Sequence, residues 1–188
     1  MPEDNTPSPA TFALIQNHYR EAFGATILRT YAHYRSVGDP GNPTAALGYT
    51  SAGAGPLFLE RYLDAPAEAV VGARLGRPVA RDRIVEIGHF ATRHPFAMID
   101  LWWDVAGALA PGAEVAIATL TRPLRDAMAR IGVPLILLGT ARPERAGDSG
   151  QDWGRYYAFD PMVCLGEIAG GRHAMARLQS RRPARYAA

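Results

Sequence analysis

The feature that most constrains the fold is the alternation of strand and helix patterns in the second half of the chain. An apolar, β-branched run over 83–91 predicts a buried strand, and a helical pattern that opens with proline covers 95–109. The elements that follow are a strand, a helix and two further strands, over 114–120, 122–131, 133–138 and 162–168. Strands that alternate with helices in this way predict a mixed α/β architecture.

The first half of the chain has different patterns. Apolar residues recur every three or four positions over 11–30, which predicts one helix, or two helices divided at Gly24. Two strand patterns, over 31–37 and 45–51, flank a turn rich in proline and glycine and predict a hairpin. A short helix is predicted over 57–64.

The length of 188 residues suits a single domain. Residues 1–10 contain three prolines and predict a flexible leader, whereas 11–170 contain all the predicted strands. Residues 171–188 carry five arginines and no acidic residue, so they predict a basic tail. The tail is a candidate contact for an anionic partner such as RNA, an acidic carrier protein or a membrane surface, or it is a solvated terminus. Its arginines are Arg172, Arg177, Arg181, Arg182 and Arg185.

Composition excludes several classes of enzyme. All twenty basic residues are arginine, so pyridoxal enzymes, phosphate-loop nucleotidases and protein kinases, which need a lysine, are excluded. Cys164 is the single cysteine, so the chain forms no internal disulfide. The five histidines lack metal-ligand spacing, and no metal site is predicted. The N-terminus lacks a signal pattern and no apolar run approaches membrane-spanning length, so we expect a cytoplasmic protein.

Glu86 and His89 are the first candidates for chemistry. Glu86 interrupts an apolar strand, where a carboxylate either pairs with an arginine or lines a cleft as a general base or a binding group for an amine. His89 lies three residues on, and on a straight strand it faces the opposite side. A bulge at Gly88 would bring the two side chains together. His89 is either catalytic or a structural hydrogen-bonding group.

Two further segments are candidates. The junction over 91–96 places unpaired N–H groups at a helix start, with Arg93 as a cation, which suits a phosphate or an ordinary helix entry. Tyr156 and Tyr157 point to opposite sides of an extended segment, so one can pack in the core while the other reaches a cleft. A tyrosine hydroxyl there could protonate a leaving thiolate or alkoxide, whereas core packing of both rings is the alternative.

Three separated blocks of sequence resemble the thermostable hemolysin family. They are LFLERYLD at 57–64, IVEIGHFA at 84–91 and WGRYY at 153–157, and the likeness extends over residues 12–170. Where the family pattern has asparagine and leucine, this chain has His89 and Phe90, which predicts a changed specificity or chemistry at the end of the strand. The family name also leaves open a membrane-active protein.

The glutamate-containing block is also similar to autoinducer synthases and N-acyl amino acid synthases, which belong to the GNAT acyltransferases. This resemblance implies a GNAT-like fold, with a central splayed sheet flanked by helices and an acyl thioester in the gap. The GNAT pyrophosphate loop is not evident after Ala91. The resemblance therefore implies a donor that is an acyl-CoA, an acyl-carrier protein or an aminoacyl-tRNA, with no tightly bound cofactor.

The implied activity is transfer of an acyl group to a small-molecule amine by direct attack. Glu86, helped by His89, would take the proton of the amine, and Tyr156 or Tyr157 would protonate the leaving group. The residues expected to bind the donor, through backbone N–H groups, charge or apolar walls, are Phe90, Ala91, Thr92, Arg93, Phe96, Trp102 and Trp103. A GNAT-like binding module without catalysis is the remaining alternative.

Overall fold

A six-stranded mixed sheet forms the centre of the molecule, which a computed structural model describes over residues 7–147 and 152–180. The strand order is β1-β2-β3-β4-β6-β5. All neighbours are antiparallel except β3 and β4, which are parallel. The strands are β1 (His33–Asp39), β2 (Asn42–Ser51), β3 (Ile84–Thr92), β4 (Val115–Leu120), β5 (Ile136–Thr140) and β6 (Met162–Glu167). The predicted mixed α/β fold is confirmed.

Five α-helices cover the two faces of this sheet. The helices are α1 (Pro9–Phe23), α2 (Ala67–Leu75), α3 (Pro95–Leu109), α4 (Arg122–Arg130) and α5 (Ile168–Ser180). One face packs against α1, α2 and the 3₁₀ helix Phe58–Tyr62, in two apolar clusters that contain Ile15 and Leu59. The other face packs against α3 and α4 through Leu101 and Met128. Leu101 and Leu59 are fully buried, so both faces contribute a core.

The N-terminal helix is shorter than its apolar pattern predicts. It begins at Pro9, within the predicted leader, and the Ser8 side chain caps it. It ends at Phe23 because Gly24 adopts a left-handed conformation, with φ of 66°, that turns the chain. Most of residues 25–32 form neither helix nor strand, so the predicted continuation to residue 30 is wrong.

The C-terminal end of the described chain is a packed helix. The predicted basic tail begins at residue 171, yet 171–180 continue α5, in which Ala174 and Met175 are buried. Arg172 and Arg177 are exposed on this helix. Arg181, Arg182 and Arg185 lie outside the described residues, as do residues 1–6 of the predicted leader.

β3 and β4 separate beyond the middle of the sheet. Their parallel pairing runs only from Ile84 opposite Val115 to Glu86 opposite Ile117. β3 then continues to Thr92 and β4 to Leu120 without pairing to each other. The expected splayed sheet is therefore present, and Glu86 is the last β3 residue paired with β4.

A β-bulge interrupts the pairing of β2 with β3. Ala46 pairs with Ala91 and Gly48 with Gly88, so Leu47 lies opposite two residues, His89 and Phe90. His89 has a φ of 53°, a left-handed conformation that few residues other than glycine adopt, although asparagine, aspartate and histidine do so more often than most. The extra residue changes the alternation of side chains along the strand. His89 therefore lies on the same face as Glu86, as a bulge was expected to achieve.

Candidate active site

Glu86 is a buried carboxyl group without a cationic partner among the described residues. It is 2% exposed, and its Oε1 accepts a hydrogen bond of 3.1 Å from the Tyr31 hydroxyl. Its Oε2 accepts one of 3.4 Å from the Leu59 N–H. Burial raises the pKa of Glu86 to about 7, although these donors favour the charged form. No arginine in the described ranges forms an ion pair with Glu86, so the structural salt bridge is not found.

The 3₁₀ helix Phe58–Tyr62 covers Glu86 and is firmly anchored. Glu60 accepts hydrogen bonds from the N–H groups of Leu57 and Ala67, at 2.9 and 2.8 Å. It also forms an ion pair of 2.7 Å with Arg81, whose hydrogen bond contributes most to lowering the pKa of Glu60 to about 2. Arg81 donates to both carboxylate oxygens, so four hydrogen bonds to Glu60 hold the helix that carries the Leu59 N–H over Glu86.

His89 is a neutral hydrogen-bonding group in this structure. Its Nδ1 lies 3.2 Å from the hydroxyl of Tyr34, and its ring packs edge-on against Tyr31 and Tyr19, with centroids 4.8 and 5.8 Å away. The residue is 4% exposed, and burial lowers the pKa of His89 to about 3. His89 and Glu86 both contact Tyr31, which connects the two sequence-predicted residues.

A cavity of about 480 Å³ lies where β3 and β4 separate. Its walls come from β3, α3, α4, β4, α1 and the segment before β6, and they are mainly apolar. Residues that represent these six elements are Phe90, Trp102, Leu124, Thr119, Tyr19 and Tyr156. A second, smaller cavity of about 110 Å³ lies between the sheet and α3 and α5, and Phe90 and Trp102 line both. The gap between the strands is therefore large enough for an acyl group.

The structure divides the predicted donor-binding residues. Phe90 and Thr92 line the larger cavity, whereas Ala91 is fully buried in the cluster that contains α1. Arg93 lies away from the cavity, because its Nε donates to the Pro43 carbonyl at 3.0 Å and its backbone N–H to the Thr44 carbonyl at 2.9 Å. The binding of an anion at this junction stays a prediction, and Arg93 is not part of the cavity lining.

The aromatic residues of α3 also differ from the prediction. Phe96 is 64% exposed and is not part of the cavity lining. Of the two adjacent tryptophans, Trp102 lines both cavities and Trp103 neither. A helix turns 100° per residue, so the side chains of Trp102 and Trp103 leave α3 in different directions. Both tryptophans were predicted to line the donor site, and of the two only Trp102 lines the cavity.

Tyr156 and Tyr157 lie in a 3₁₀ helix, Tyr156–Phe159, so the expected extended segment is wrong, and their ring centroids are 5.6 Å apart. Tyr156 lines the cavity, and its hydroxyl donates to the Thr119 carbonyl at 3.2 Å. The Tyr157 hydroxyl lies 2.6 Å from that of Tyr62, outside the cavity lining. Burial raises the pKa of both tyrosines, so both are neutral at pH values near 7.

Three tyrosines of the site have no sequence signal. Tyr19, Tyr31 and Tyr34 surround His89, and Tyr31 also contacts Glu86, 55 residues further along the chain. Their aromatic rings are as typical of a core as of a site. Only the three-dimensional fold places them around the carboxyl group.

Two features of the described ranges, 7–147 and 152–180, bear on metal sites and membrane spans. No group of three or more histidine, cysteine, aspartate or glutamate residues there is arranged to hold a metal ion. Likewise, no helix in these ranges is both long and apolar enough to span a bilayer.

The model of one protein family, thermostable hemolysin, matches residues 3–172. The chain belongs to the thermostable hemolysin family. The match covers every described strand and the beginning of α5, so this family membership applies to the splayed sheet and the carboxyl site together. No curated protein sequence matches the chain.

Solved structures show which other proteins share the fold of this thermostable hemolysin relative. FeeM, an N-acyl amino acid synthase from uncultured soil microbes, is 14% identical with a TM-score of 0.59, and the match covers 88% of this chain and 92% of FeeM. TofI in an apo form is 17% identical with a TM-score of 0.58, covering 91% of each chain. BjaI, a CoA-dependent acyl-homoserine lactone synthase with SAM and isopentyl-CoA, is 14% identical with a TM-score of 0.53, covering 79% of this chain and 63% of BjaI. The expected acyltransferase fold is thereby confirmed.

Proposed function

We propose that this protein transfers an acyl group from an activated thioester or ester donor to an amine. The observation that carries the proposal is the separation of β3 from β4 immediately after Glu86, which opens the cavity of about 480 Å³. The cavity offers an apolar channel through the sheet for the acyl carbonyl. A carboxyl group with a pKa of about 7 lies on the strand that forms one side of that channel.

The reaction is a direct attack within a complex of donor and acceptor. The amine nitrogen attacks the carbonyl carbon, the new C–N bond forms, and the C–S bond of the thioester, or the C–O bond of an ester, breaks. Glu86 takes the proton that the amine loses. A carboxyl group with a pKa near the working pH is deprotonated in a large fraction of the molecules and is still a strong enough base to take a proton, and such catalysis contributes about 10²-fold or more.

The backbone of β3 supplies the donor for the developing oxyanion. The Arg93 N–H is directed to β2, where it bonds to the Thr44 carbonyl. Because successive residues of a strand direct their N–H groups to opposite edges, the Thr92 N–H points to the edge that β4 has left. Thr92 lines the cavity, so its N–H is placed to stabilise negative charge on the carbonyl oxygen.

Tyr156 is the better placed of the two tyrosines to protonate the leaving group. Tyr156 lines the cavity, and its hydroxyl donates to the carbonyl of Thr119, another lining residue, whereas the Tyr157 hydroxyl is paired with Tyr62. His89 acts through Tyr31 as a positioning residue, since no direct hydrogen bond joins it to Glu86. Phe90 and Trp102 contact the acyl chain where the two cavities meet.

The classes of donor and acceptor are drawn from the fold relatives. BjaI was solved with isopentyl-CoA and FeeM is an N-acyl amino acid synthase, which supports a thioester donor and an amine acceptor here. An acyl-CoA, an acyl-carrier protein or an aminoacyl-tRNA would each present such a carbonyl. The exposed arginines of α5, Arg172 and Arg177, are proposed contacts for an anionic carrier.

The test uses purified full-length protein, decanoyl-CoA as the probe donor and a mixture of methylamine and amino acids as probe acceptors. We expect release of free thiol together with an N-acyl product identified by mass, and Glu86→Gln should lower the rate by about 10²-fold. Glu114→Gln is the matched control, because Glu114 is a surface carboxylate in ion pairs with Arg77 and Arg83.

Equal rates for Glu86→Gln and the wild type would contradict the role of Glu86. Lysis of liposomes without any donor would instead support the membrane-active alternative. Thermal stabilisation by decanoyl-CoA without turnover would support a binding module.

A further inference from the structure

Glu86 is closed to solvent in this structure. It is 2% exposed and is not among the residues that line the larger cavity. An amine that gives its proton to Glu86 must therefore displace a group that covers the carboxyl oxygens. The groups that contact those oxygens include the Tyr31 hydroxyl on Oε1 and, from the 3₁₀ helix Phe58–Tyr62, the N–H groups of Leu59 and Phe58.

The 3₁₀ helix Phe58–Tyr62, which carries Leu59, is held too firmly to be the element that moves away from Glu86. Besides the bonds of Glu60 to Arg81, Leu57 and Ala67, the Arg61 carbonyl accepts a hydrogen bond of 2.8 Å from Arg145. The Tyr62 hydroxyl is paired with Tyr157 at 2.6 Å. Opening this helix would break all of these interactions at once.

The segment that carries Tyr31 has fewer restraints. It connects α1 to β1 and has no helix or strand from residue 27 to residue 31. It is held by the backbone bridge of Thr26 to Asp152, by the buried side chain of Ile27 and by the Ala32 N–H, which donates to Thr50 Oγ1 at 2.9 Å. Between these points, the N–H groups of Thr30 and Tyr31 donate to the Tyr34 hydroxyl at 3.3 and 3.5 Å. Tyr31 itself is half-buried, and its hydroxyl contacts Glu86.

Two glycines form the surface on which the Tyr31 ring lies. Gly48 and Gly88 are directly opposite each other on β2 and β3. A Cβ atom at Gly48 would lie 2.7 Å from Cδ2 of Tyr31, and one at Gly88 would collide with the Tyr31 hydroxyl. Because neither glycine has a side chain, the two strands leave a slot that is as deep as one aromatic ring and holds the ring of Tyr31. Oε1 of Glu86 lies at the end of this slot, 3.1 Å from the hydroxyl oxygen.

We propose that the slot over Gly48 and Gly88 is the acceptor subsite and that Tyr31 is its removable cover. The inference rests on the proposed function. A primary amine enters when Tyr31 moves out, and its nitrogen takes the position of the Tyr31 hydroxyl. The amine N–H then donates to Oε1 of Glu86, which is the contact needed for the proton to pass from nitrogen to carboxylate.

Chemical labelling of Glu86 tests the cover without any donor. A water-soluble carbodiimide with methylamine couples to accessible carboxyl groups, and peptide mass spectrometry reads the extent at Glu86. We expect Tyr31→Ala to increase the labelling rate of Glu86 by about tenfold over the wild type, because the cover is gone. Thr30→Ala is the matched control, since its exposed side chain belongs to the same segment, and it should label like the wild type.

Unchanged labelling of Glu86 in a folded Tyr31→Ala protein would overturn the proposal. Should that variant fail to fold, hydrogen exchange of the wild-type protein decides instead. We expect the amides of residues 27–32 to exchange through a local opening while those of 58–63 exchange only on global unfolding. Exchange of both segments at the global rate would show that Tyr31 is a fixed part of the core.

These measurements test the acceptor subsite and the acyltransferase activity independently of each other. Rapid labelling of Glu86 in Tyr31→Ala, together with no acyl transfer to any amine, would support Tyr31 as the cover of Glu86 and contradict the acyltransferase activity. Acyl transfer that depends on Glu86, together with unchanged labelling of Glu86 in Tyr31→Ala, would support the acyltransferase activity and contradict the role of Tyr31 as a cover. With decanoyl-CoA as donor, Tyr31→Ala should also lower the KM for methylamine by about fivefold relative to Thr30→Ala.

Discussion

The hydroxyl of Tyr31 donates a hydrogen bond of 3.1 Å to Oε1 of Glu86, a residue that follows it by 55 positions in the chain. The bond lies between a connecting segment and the strand at which the sheet divides. It favours the charged carboxylate, whereas burial disfavours it, and burial has the larger effect on the pKa of Glu86. The carboxyl group thus changes its protonation state near neutral pH, which gives the site measurable consequences.

Stability should fall as the pH rises toward neutrality because of Glu86. Its pKa is 4.5 when unfolded and about 7 when folded, so the stability it gives below pH 4.5 is lost as the pH rises through 7. The loss is about 3 kcal/mol over this interval. Glu86→Gln should remove that dependence, measured as the free energy of unfolding in urea at several pH values. Glu114→Gln should retain the pH dependence. If the free energy of unfolding changes with pH equally in Glu86→Gln and in the wild type, Glu86 is not the source of that dependence.

His89 should have the opposite effect at acid pH. Its pKa falls from 6.5 to about 3 on folding, so its stabilisation is complete above pH 6.5 and is lost as the pH falls toward 3. We expect the contribution of His89 to fall by roughly 3 kcal/mol between pH 6.5 and about pH 4. Because Glu86 changes the stability in the opposite direction over this range, the effect is measured as the difference between the wild type and His89→Asn. His89→Asn should lose less, because asparagine suits the left-handed backbone and does not titrate.

The control for His89 is His173→Asn, since His173 is exposed on α5. Acid-induced unfolding followed by circular dichroism compares the three proteins. If His89→Asn unfolds at the same pH as His173→Asn, the buried neutral imidazole is not the source of the acid sensitivity.

Gly88 should tolerate no side chain while Tyr31 is in place. Gly88→Ala should destabilise the protein by about 1–3 kcal/mol, because the added methyl group collides with the Tyr31 hydroxyl. In the double variant with Tyr31→Ala the penalty should largely disappear, which a double-mutant cycle measures as coupling. Gly41→Ala is the control, since a Cβ atom there meets nothing within 4 Å. Additive effects of the two substitutions would place the ring elsewhere.

Trp102 should set the length of acyl chain that the protein accepts. It lines both cavities, so Trp102→Ala should join them and raise kcat/KM for long acyl-CoAs over short ones by about tenfold. Trp103→Ala should not change the preference, because Trp103 lines neither cavity. A series of saturated acyl-CoAs provides the measurement, and the same shift in both variants would reject the role of Trp102.

The elements with local start and stop signals were predicted well. The helix predicted over 95–109 is α3 as observed, because Pro95 opens it and Pro111 and Gly112 follow its end. β6 starts at Met162 as predicted and ends one residue early. Signals of this kind act within a few residues, so one sequence contains all the information they need.

Elements that depend on packing were predicted less well. β5 begins at Ile136 and not at residue 133, since its start is set by pairing with Leu165 of β6. The chain beyond residue 170 is helical because Ala174 and Met175 find a buried surface beside α3. Its many arginines masked that pattern in the sequence.

By itself the sequence determined that Glu86 lies within an apolar strand and that a β-bulge at Gly88 would bring the side chains of Glu86 and His89 to the same face. Tertiary structure decided everything that depends on distant neighbours: no arginine in the described ranges pairs with Glu86, Tyr31 covers it, and Trp102 rather than Trp103 faces the gap. The physical reason is that secondary structure arises from contacts between near neighbours in the chain. The protonation state and accessibility of a buried group arise instead from whichever side chains the fold brings around it.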